Sequence, residues 1–128
     1  MYEVRILKTL DRVFSVLLFL GGIGHSLGSY AAYSAKLETL LWALSASQLV
    51  FLLGTLNFVR AGRQGDRALA WITIIFNLTF LASVFAFFGM VVHNLLDPRV
   101  IGFTLIVLVL CVMSVRTMRA PNSGGRNL

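Results

Sequence analysis

Four long apolar stretches, each almost free of charged side chains, dominate the pattern of hydrophobic and polar positions along the chain. They cover residues 13–33, 39–59, 68–92 and 100–118. An apolar helix of about 20 residues, with a rise of about 1.5 Å per residue, matches the roughly 30 Å hydrocarbon core of a bilayer. The pattern therefore predicts four transmembrane helices.

The fourth stretch is the shortest, because Arg99 and Arg116 limit its uncharged part to residues 100–115. Long basic side chains at a helix end can extend to the membrane interface, so a short span remains compatible with this sequence. The runs are continuous rather than alternating, which favours helices over the strands of a barrel. The predicted fold is all-α, an integral membrane four-helix bundle with antiparallel up-down-up-down topology. We expect one domain over residues 1–119, followed by a flexible cytoplasmic tail over residues 120–128.

Composition and charge agree with this class of protein and add an orientation. Hydrophobic residues make up 58% of the chain and charged residues 12%, which is too apolar for a soluble globule. Most of the basic residues fall on one side of a four-span topology, whereas Lys36 and Arg99 fall on the other. The majority set is Arg5, Lys8, Arg12, Arg60, Arg63, Arg67, Arg116, Arg119 and Arg126. This bias predicts cytoplasmic termini in a bacterial cytoplasmic (inner) membrane, and a basic excess that contacts lipid rather than nucleic acid.

The segment before the first apolar run, residues 1–12, mixes apolar and charged side chains. It forms either an amphipathic lead-in on the inner interface or the cytoplasmic turns of the first helix. A cleavable signal peptide is a competing interpretation, because a basic start and an apolar core precede a small-x-small site at Ser29-Tyr30-Ala31. The apolar run is long for a signal peptide, so we favour an uncleaved anchor.

His25 is the ionisable side chain that lies deep within a predicted span. Counted from the helix ends at about 1.5 Å per residue, it lies about 12 Å below the outer surface, and Gln48 and Ser83 lie at about the same level. Three helices can thus contribute to one polar layer in the outer leaflet. With their polar neighbours, the candidates for this layer are His25, Ser26, Ser45, Ser47, Gln48 and Ser83.

The glycines around His25 predict a close contact between helices. Gly21, His25 and Gly28 share one helix face, and Gly24 and Gly28 form a GxxxG pair. We therefore expect His25 to point into the bundle rather than at lipid. Two interpretations stay open: a neutral imidazole that joins helices through a hydrogen bond, and a functional site.

Further polar residues suggest pairing or metal binding elsewhere in the chain. Asn57 and Thr73 fall at similar depth toward the cytoplasm, and Thr73 and Asn77 share a helix face at i, i+4. Amides in spans usually bond across helices, so Asn57, Thr73 and Asn77 are interpreted as a structural pairing set. His93 and Asp97, spaced i, i+4 near the outer mouth, are weak candidates for a metal pair, with no clear third ligand. The single cysteine, Cys111, is interpreted as a packing residue.

These observations lead to three hypotheses about function. The spans contain no carboxylate, and the sequence shows no nucleophile–base pair and no metal cluster, which argues against an enzyme and predicts no cofactor. The leading hypothesis is a small non-enzymatic membrane bundle that binds a lipid or amphipathic molecule, self-associates, or joins a larger membrane complex. One alternative is a redox protein that holds haem, quinone or metal through His25 or His93. Another is a small channel or transporter with a constriction formed by His25, Gln48 and Ser83.

Overall fold

The computed structural model describes residues 2–121, with the side chains of residues 5–121. Its helices are α1 (Tyr2–Tyr33), α2 (Leu37–Gly62), α3 (Arg67–Met90) and α4 (Pro98–Arg119). The all-helical prediction is confirmed, and three of these helices, α2, α3 and α4, are long and apolar enough to cross a membrane. A span in α1 stays a prediction, and most of the predicted tail lies outside the described residues.

The first helix is continuous and includes the charged segment that precedes the first apolar run. The structure supports the second interpretation of that segment, in which residues 2–12 form the first turns of α1. No glycine or proline interrupts the chain before Gly21, so nothing in the sequence ends the helix there. This continuity carries Asp11 to the same helix face as Leu18, and both side chains are buried.

Short loops separate the helices, and aspartate side chains cap the start of α3 and of α4. Between α2 and α3, Gly65 has a φ of 85°, and the Asp66 carboxylate accepts a hydrogen bond from the backbone N–H of Leu69 at 3.0 Å. Between α3 and α4, Asp97 caps the helix that begins at Pro98, as expected for a proline at the first helical position. These turns leave room only for antiparallel neighbours.

Side-chain contacts show that α1 and α2 run in opposite directions. Asp11 of α1 meets Arg60 of α2, and His25 meets Ser47, so residue numbers rise along α1 as they fall along α2. The most extensive packing is within the α1–α2 and α3–α4 hairpins, and α4 also contacts α1 and α2. No Cα atom in the described part of α1 lies within 8 Å of one in α3, so these two helices lie diagonally across the bundle. We call the end where α1 begins and α4 ends the terminal end.

The apolar core lies around the middle of the bundle and receives residues from every helix. Its buried members Leu18, Val50, Leu53 and Leu110 pack with aromatic side chains that include Phe80 of α3. Helices α1 and α2 approach closely at Gly54, where a Cβ atom would lie 2.9 Å from the backbone nitrogen of Phe19. Glycine at this position allows α1 and α2 to come into backbone contact.

The glycines singled out in the sequence have different environments. A Cβ atom at Gly21 would lie 2.9 Å from the Phe103 ring of α4, so this position is in the interior. At Gly24 and Gly28 a Cβ atom would meet no described atom within 4 Å. The close approach expected at the GxxxG pair is therefore not made within the described part of one chain, because that side of α1 faces away from its neighbours.

Candidate functional site

A buried polar network at the terminal end joins all four helices, and its centre is an ion pair between α1 and α2. The Arg60 guanidinium donates through Nη2 to the Asp11 carboxylate, and through Nη1 to Thr117 Oγ1 of α4 at 3.0 Å. Arg60 has no exposed surface and Asp11 is 1% exposed. Two charges removed from solvent require each other, because either alone carries a large desolvation cost.

A pair of amides extends the network to the third helix. Asn57 Nδ2 donates to Asn77 Oδ1 at 3.0 Å, and Asn77 Nδ2 donates in return to Asn57 Oδ1 at 3.2 Å. Asn57 Oδ1 also lies 3.4 Å from Arg60 Nη2, and Asn57 Nδ2 donates to the carbonyl of Leu53 at 2.9 Å. Asn57 thus connects the ion pair to α3, and both amides are fully buried.

Hydroxyl groups complete the network on its other sides. Thr73 Oγ1 of α3 and Ser114 Oγ of α4 lie 3.0 Å apart, and Ser15 Oγ donates to the Asp11 carbonyl at 2.8 Å. The Thr117 carbonyl accepts from the backbone N–H of Gly65 at 3.1 Å, which fixes the α2–α3 loop against α4. Among the described residues, two buried side-chain atoms lack a partner: Arg60 Nε and Thr104 Oγ1.

The sequence predicts some residues of this network as polar partners, but it does not predict the ion pair. The structure brings the predicted Asn57 and Asn77 into direct contact, whereas Thr73, the residue expected at the depth of Asn57, contacts Ser114 of α4. The sequence reasoning did not single out Asp11, because it lies just before the predicted span 13–33, yet its side chain is buried among the helices. The available signal was the spacing of Asp11, Ser15 and Leu18, which places them on one face of a helix that begins before the apolar run.

His25 lies nearer the opposite end, in a contact between α1 and α2. Its Nδ1 atom is 3.0 Å from Ser47 Oγ and 3.2 Å from Ser29 Oγ, and both serines are buried. The histidine as a whole is still exposed on the bundle surface. Its inward nitrogen therefore contributes to helix pairing, while the remainder of the ring lies at the surface.

The predicted polar layer around His25 is not assembled as expected. Ser26 Oγ donates to the carbonyl of Gly22 at 2.9 Å, on its own helix. Gln48 is exposed on α2, and Ser83 is exposed on α3, where it donates to the Thr79 carbonyl at 3.0 Å. Ser47 faces α1 instead of Gln48 because one residue along a helix rotates the side chain by about 100°.

The loop that holds His93 and Asp97 is organised by an arginine rather than arranged for a metal. Both Asp97 carboxylate oxygens accept from the Arg99 side chain, each at 2.8 Å, and Oδ1 also accepts from the Arg99 backbone N–H at 2.9 Å. The side-chain hydrogen bonds from Arg99 lower the pKa of Asp97 to about 2. His93 has a φ of 56°, which is uncommon for a residue with a side chain.

The surface carries a shallow groove at the N-terminal end of α2, which lies opposite the terminal end of the bundle. Its volume is about 320 Å³, and it is lined by Glu38, Leu41, Trp42 and Ser45. These residues recur at helical spacing on one side of α2, so the groove belongs to an exposed helix face rather than to the interior. The described residues contain no group of three or more histidine, cysteine, aspartate or glutamate side chains that could hold a metal ion.

Comparison with known proteins adds no family to these observations. No protein-family model, no curated protein and no solved structure matches the chain.

Proposed function

We propose that this chain is a four-span integral membrane protein that acts by association with further copies of itself, as a small structural or accessory bundle rather than as a catalyst. The observation that carries this proposal is the contrast, within the described part of the chain, between polar side chains that are hydrogen-bonded inside the bundle and one polar side chain, Gln48, that is not. Hydrogen bonds across the helices join four buried side chains at the terminal end: Asp11, Arg60, Asn57 and Asn77. These groups therefore need no partner from another molecule. Gln48, in contrast, is left on the outside of an apolar helix.

The proposal includes α1 as the fourth span. Packing between α1 and α2 extends from the Asp11–Arg60 pair through the contact of Phe19 with Gly54 to the contact of His25 with Ser47. A helix that lies against α2 over this length enters the bilayer whenever α2 does. The uncharged run over residues 13–33 is long enough to cross the hydrocarbon core.

The proposed orientation places the terminal end in the cytoplasm, supported by the distribution of basic residues. A cysteine-accessibility experiment tests the four-span topology, because Cys111→Ala yields a chain without cysteine. Single cysteines then replace Thr9, Ser34, Gln64 and Asn94. We expect a membrane-impermeant maleimide to label the Ser34 and Asn94 positions from outside intact cells, and the Thr9 and Gln64 positions only after lysis. Labelling of Thr9 and Ser34 from the same side contradicts a span in α1.

Association is tested by native mass spectrometry of the protein ejected from lipid nanodiscs. We expect species that contain two or more copies, with bound lipid as a further component. A ligand-free monomer at every protein-to-lipid ratio overturns the proposal. Photobleaching steps of single labelled complexes in a supported bilayer provide a second count that does not depend on ejection from the membrane.

A second candidate is a carrier that couples transport to a proton, and the observation that favours it is the Asp11–Arg60 pair. Ionisable groups among membrane helices are costly and often mark ion pathways. Liposomes that contain the protein and a pH-sensitive dye test this function. Proton uptake faster than in protein-free liposomes, and lost in Asp11→Asn, supports a proton pathway through the pair; identical traces count against such a pathway.

A further inference from the structure

One exposed face of α2 carries polar side chains in the middle of an apolar helix. Its residues recur at alternating intervals of three and four, and all of them are exposed. We call this face the α2 stripe; it consists of Glu38, Leu41, Ser45, Gln48, Leu52, Thr55 and Val59. Ser45, Gln48 and Thr55 occupy its centre, at the depth where a lone helix would contact lipid tails.

Gln48 is the residue of the α2 stripe with the greatest need of a partner. Ser45 and Thr55 donate to carbonyls one turn earlier on their own helix, at 2.9 and 2.8 Å. Gln48 makes no side-chain hydrogen bond to any residue between 5 and 121, although its amide has both donors and acceptors to satisfy. In hydrocarbon such a group is costly unless another polar group pairs with it.

The exposed side of α4 provides a comparison, because it is the kind of face expected to contact only lipid. Its exposed residues Ile101, Leu105, Leu108 and Val112 are all apolar. Exposed hydroxyls on α3 differ from Gln48 as well, because Thr79 and Ser83 both donate to their own helix. The unpaired amide thus distinguishes the α2 stripe from these exposed faces of α3 and α4.

We propose that the α2 stripe is the interface through which two copies of this chain form a symmetric dimer, an inference that rests on the association proposed above. A two-fold axis along the membrane normal brings Gln48 of one copy against Gln48 of the other. The amide is self-complementary, because each side chain can donate to the other and accept from it. Small polar residues are typical of contacts between membrane helices, and Ser45 and Thr55 flank Gln48 on the same face.

Two further features fit this arrangement. The groove has a volume of about 320 Å³ and is lined by Glu38, Leu41, Trp42 and Ser45, three of which belong to the N-terminal half of the α2 stripe. It provides space for apolar side chains of the second copy. Glu38 lies at the start of α2, about 15 Å along the helix from Gln48. Its charge is therefore outside the centre of the contact.

Energy transfer between donor- and acceptor-labelled copies in liposomes, measured over a range of protein-to-lipid ratios, tests the interface. We expect Gln48→Leu to weaken association by about 3- to 20-fold, the range of one interhelical hydrogen bond in a membrane. Ser45→Leu should weaken it further, because the larger side chain separates the helices. Leu105→Ala on the exposed face of α4 is the matched control and should leave association unchanged.

Crosslinking supplies a second readout that does not depend on affinity. In the Cys111→Ala background, Gln48→Cys should form a disulfide-linked dimer under mild oxidation, whereas Leu105→Cys should not. A wild-type chain that stays monomeric overturns the proposed function and this interface together. Association that survives Gln48→Leu and Ser45→Leu, but is lost in Gly24→Leu or Gly28→Leu, keeps the proposed function and moves the contact to α1, which overturns the α2 interface.

Discussion

The carboxylate of Asp11 and the guanidinium of Arg60 form a buried ion pair, although the sequence places each residue just outside an apolar stretch. The pair exists because α1 starts well before its apolar run, which brings Asp11 level with Arg60 near the end of α2. Arg60 also binds Thr117 of α4. The ion pair therefore joins α1 to α2, and Arg60 connects the pair to α4.

Loss of one partner of this pair should be strongly destabilising. We expect Asp11→Ala to lower the free energy of unfolding by about 3–5 kcal/mol, because Arg60 is then left charged and buried without a counterion. Denaturation in mixed detergent micelles, followed by circular dichroism, measures this difference.

Two further variants separate charge pairing from the general effects of substitution. Arg63→Ala removes an exposed arginine three residues away and should change stability by less than about 0.5 kcal/mol. Asp11→Leu combined with Arg60→Met removes both charges and should recover most of the loss. An Asp11→Ala protein as stable as Arg63→Ala would show that the pair does not hold the helices.

The amide pair between α2 and α3 should show a measurable coupling energy. A double-mutant cycle with Asn57→Ala and Asn77→Ala isolates the reciprocal hydrogen bonds, and we expect a coupling of about 0.6–1.7 kcal/mol. Thr55→Ala and Thr79→Ala form the matched cycle, because both hydroxyls are exposed and bonded to their own helices. Equal coupling in the two cycles would contradict a specific role for the amides.

Helix positions were predictable from the sequence because hydrophobicity and loop residues determine them. The predicted spans and the observed helices α2, α3 and α4 agree to within about three residues at each end. The partner of Asn57 was predictable only in part, because the rise per residue places Asn57 level with Thr73, one turn before Asn77, to which it bonds.

The sequence did not predict which face of each helix turns toward its neighbours. Ser47 and Gln48 are neighbours at nearly the same depth, but Ser47 is buried against His25 and Gln48 is exposed. Which of them faces α1 depends on how the whole α2 face packs, including the contact at Gly54. Likewise, Gly24 and Gly28 permit a close approach, but their spacing does not show which helix makes it.

The contact at Gly54 should tolerate no side chain, in contrast to an exposed glycine. We expect Gly54→Ala to destabilise the protein by about 1–3 kcal/mol, because the new methyl group would overlap the Phe19 backbone, which cannot move independently of α1. Gly24→Ala is the matched substitution within a helix and meets no described atom within 4 Å. It should increase stability by about 0.5–1 kcal/mol through helix propensity alone. The same unfolding assay measures both, and equal effects would contradict the backbone contact.

Asp97 should stabilise the α3–α4 loop at all pH values above its ordinary titration range. Its pKa falls from 3.8 to about 2 on folding, so the ionised form is favoured in the folded state. The stabilisation is complete above the unfolded value of 3.8 and is lost as the pH falls through about 2. The difference in Tm between the wild type and Asp97→Asn should therefore be constant from about pH 8 to pH 5 and shrink below pH 4. Arg99→Gln should remove most of this pH dependence, because Arg99 supplies the hydrogen bonds that hold Asp97 ionised. A difference that already collapses near pH 6 would show that Asp97 is not paired in this way.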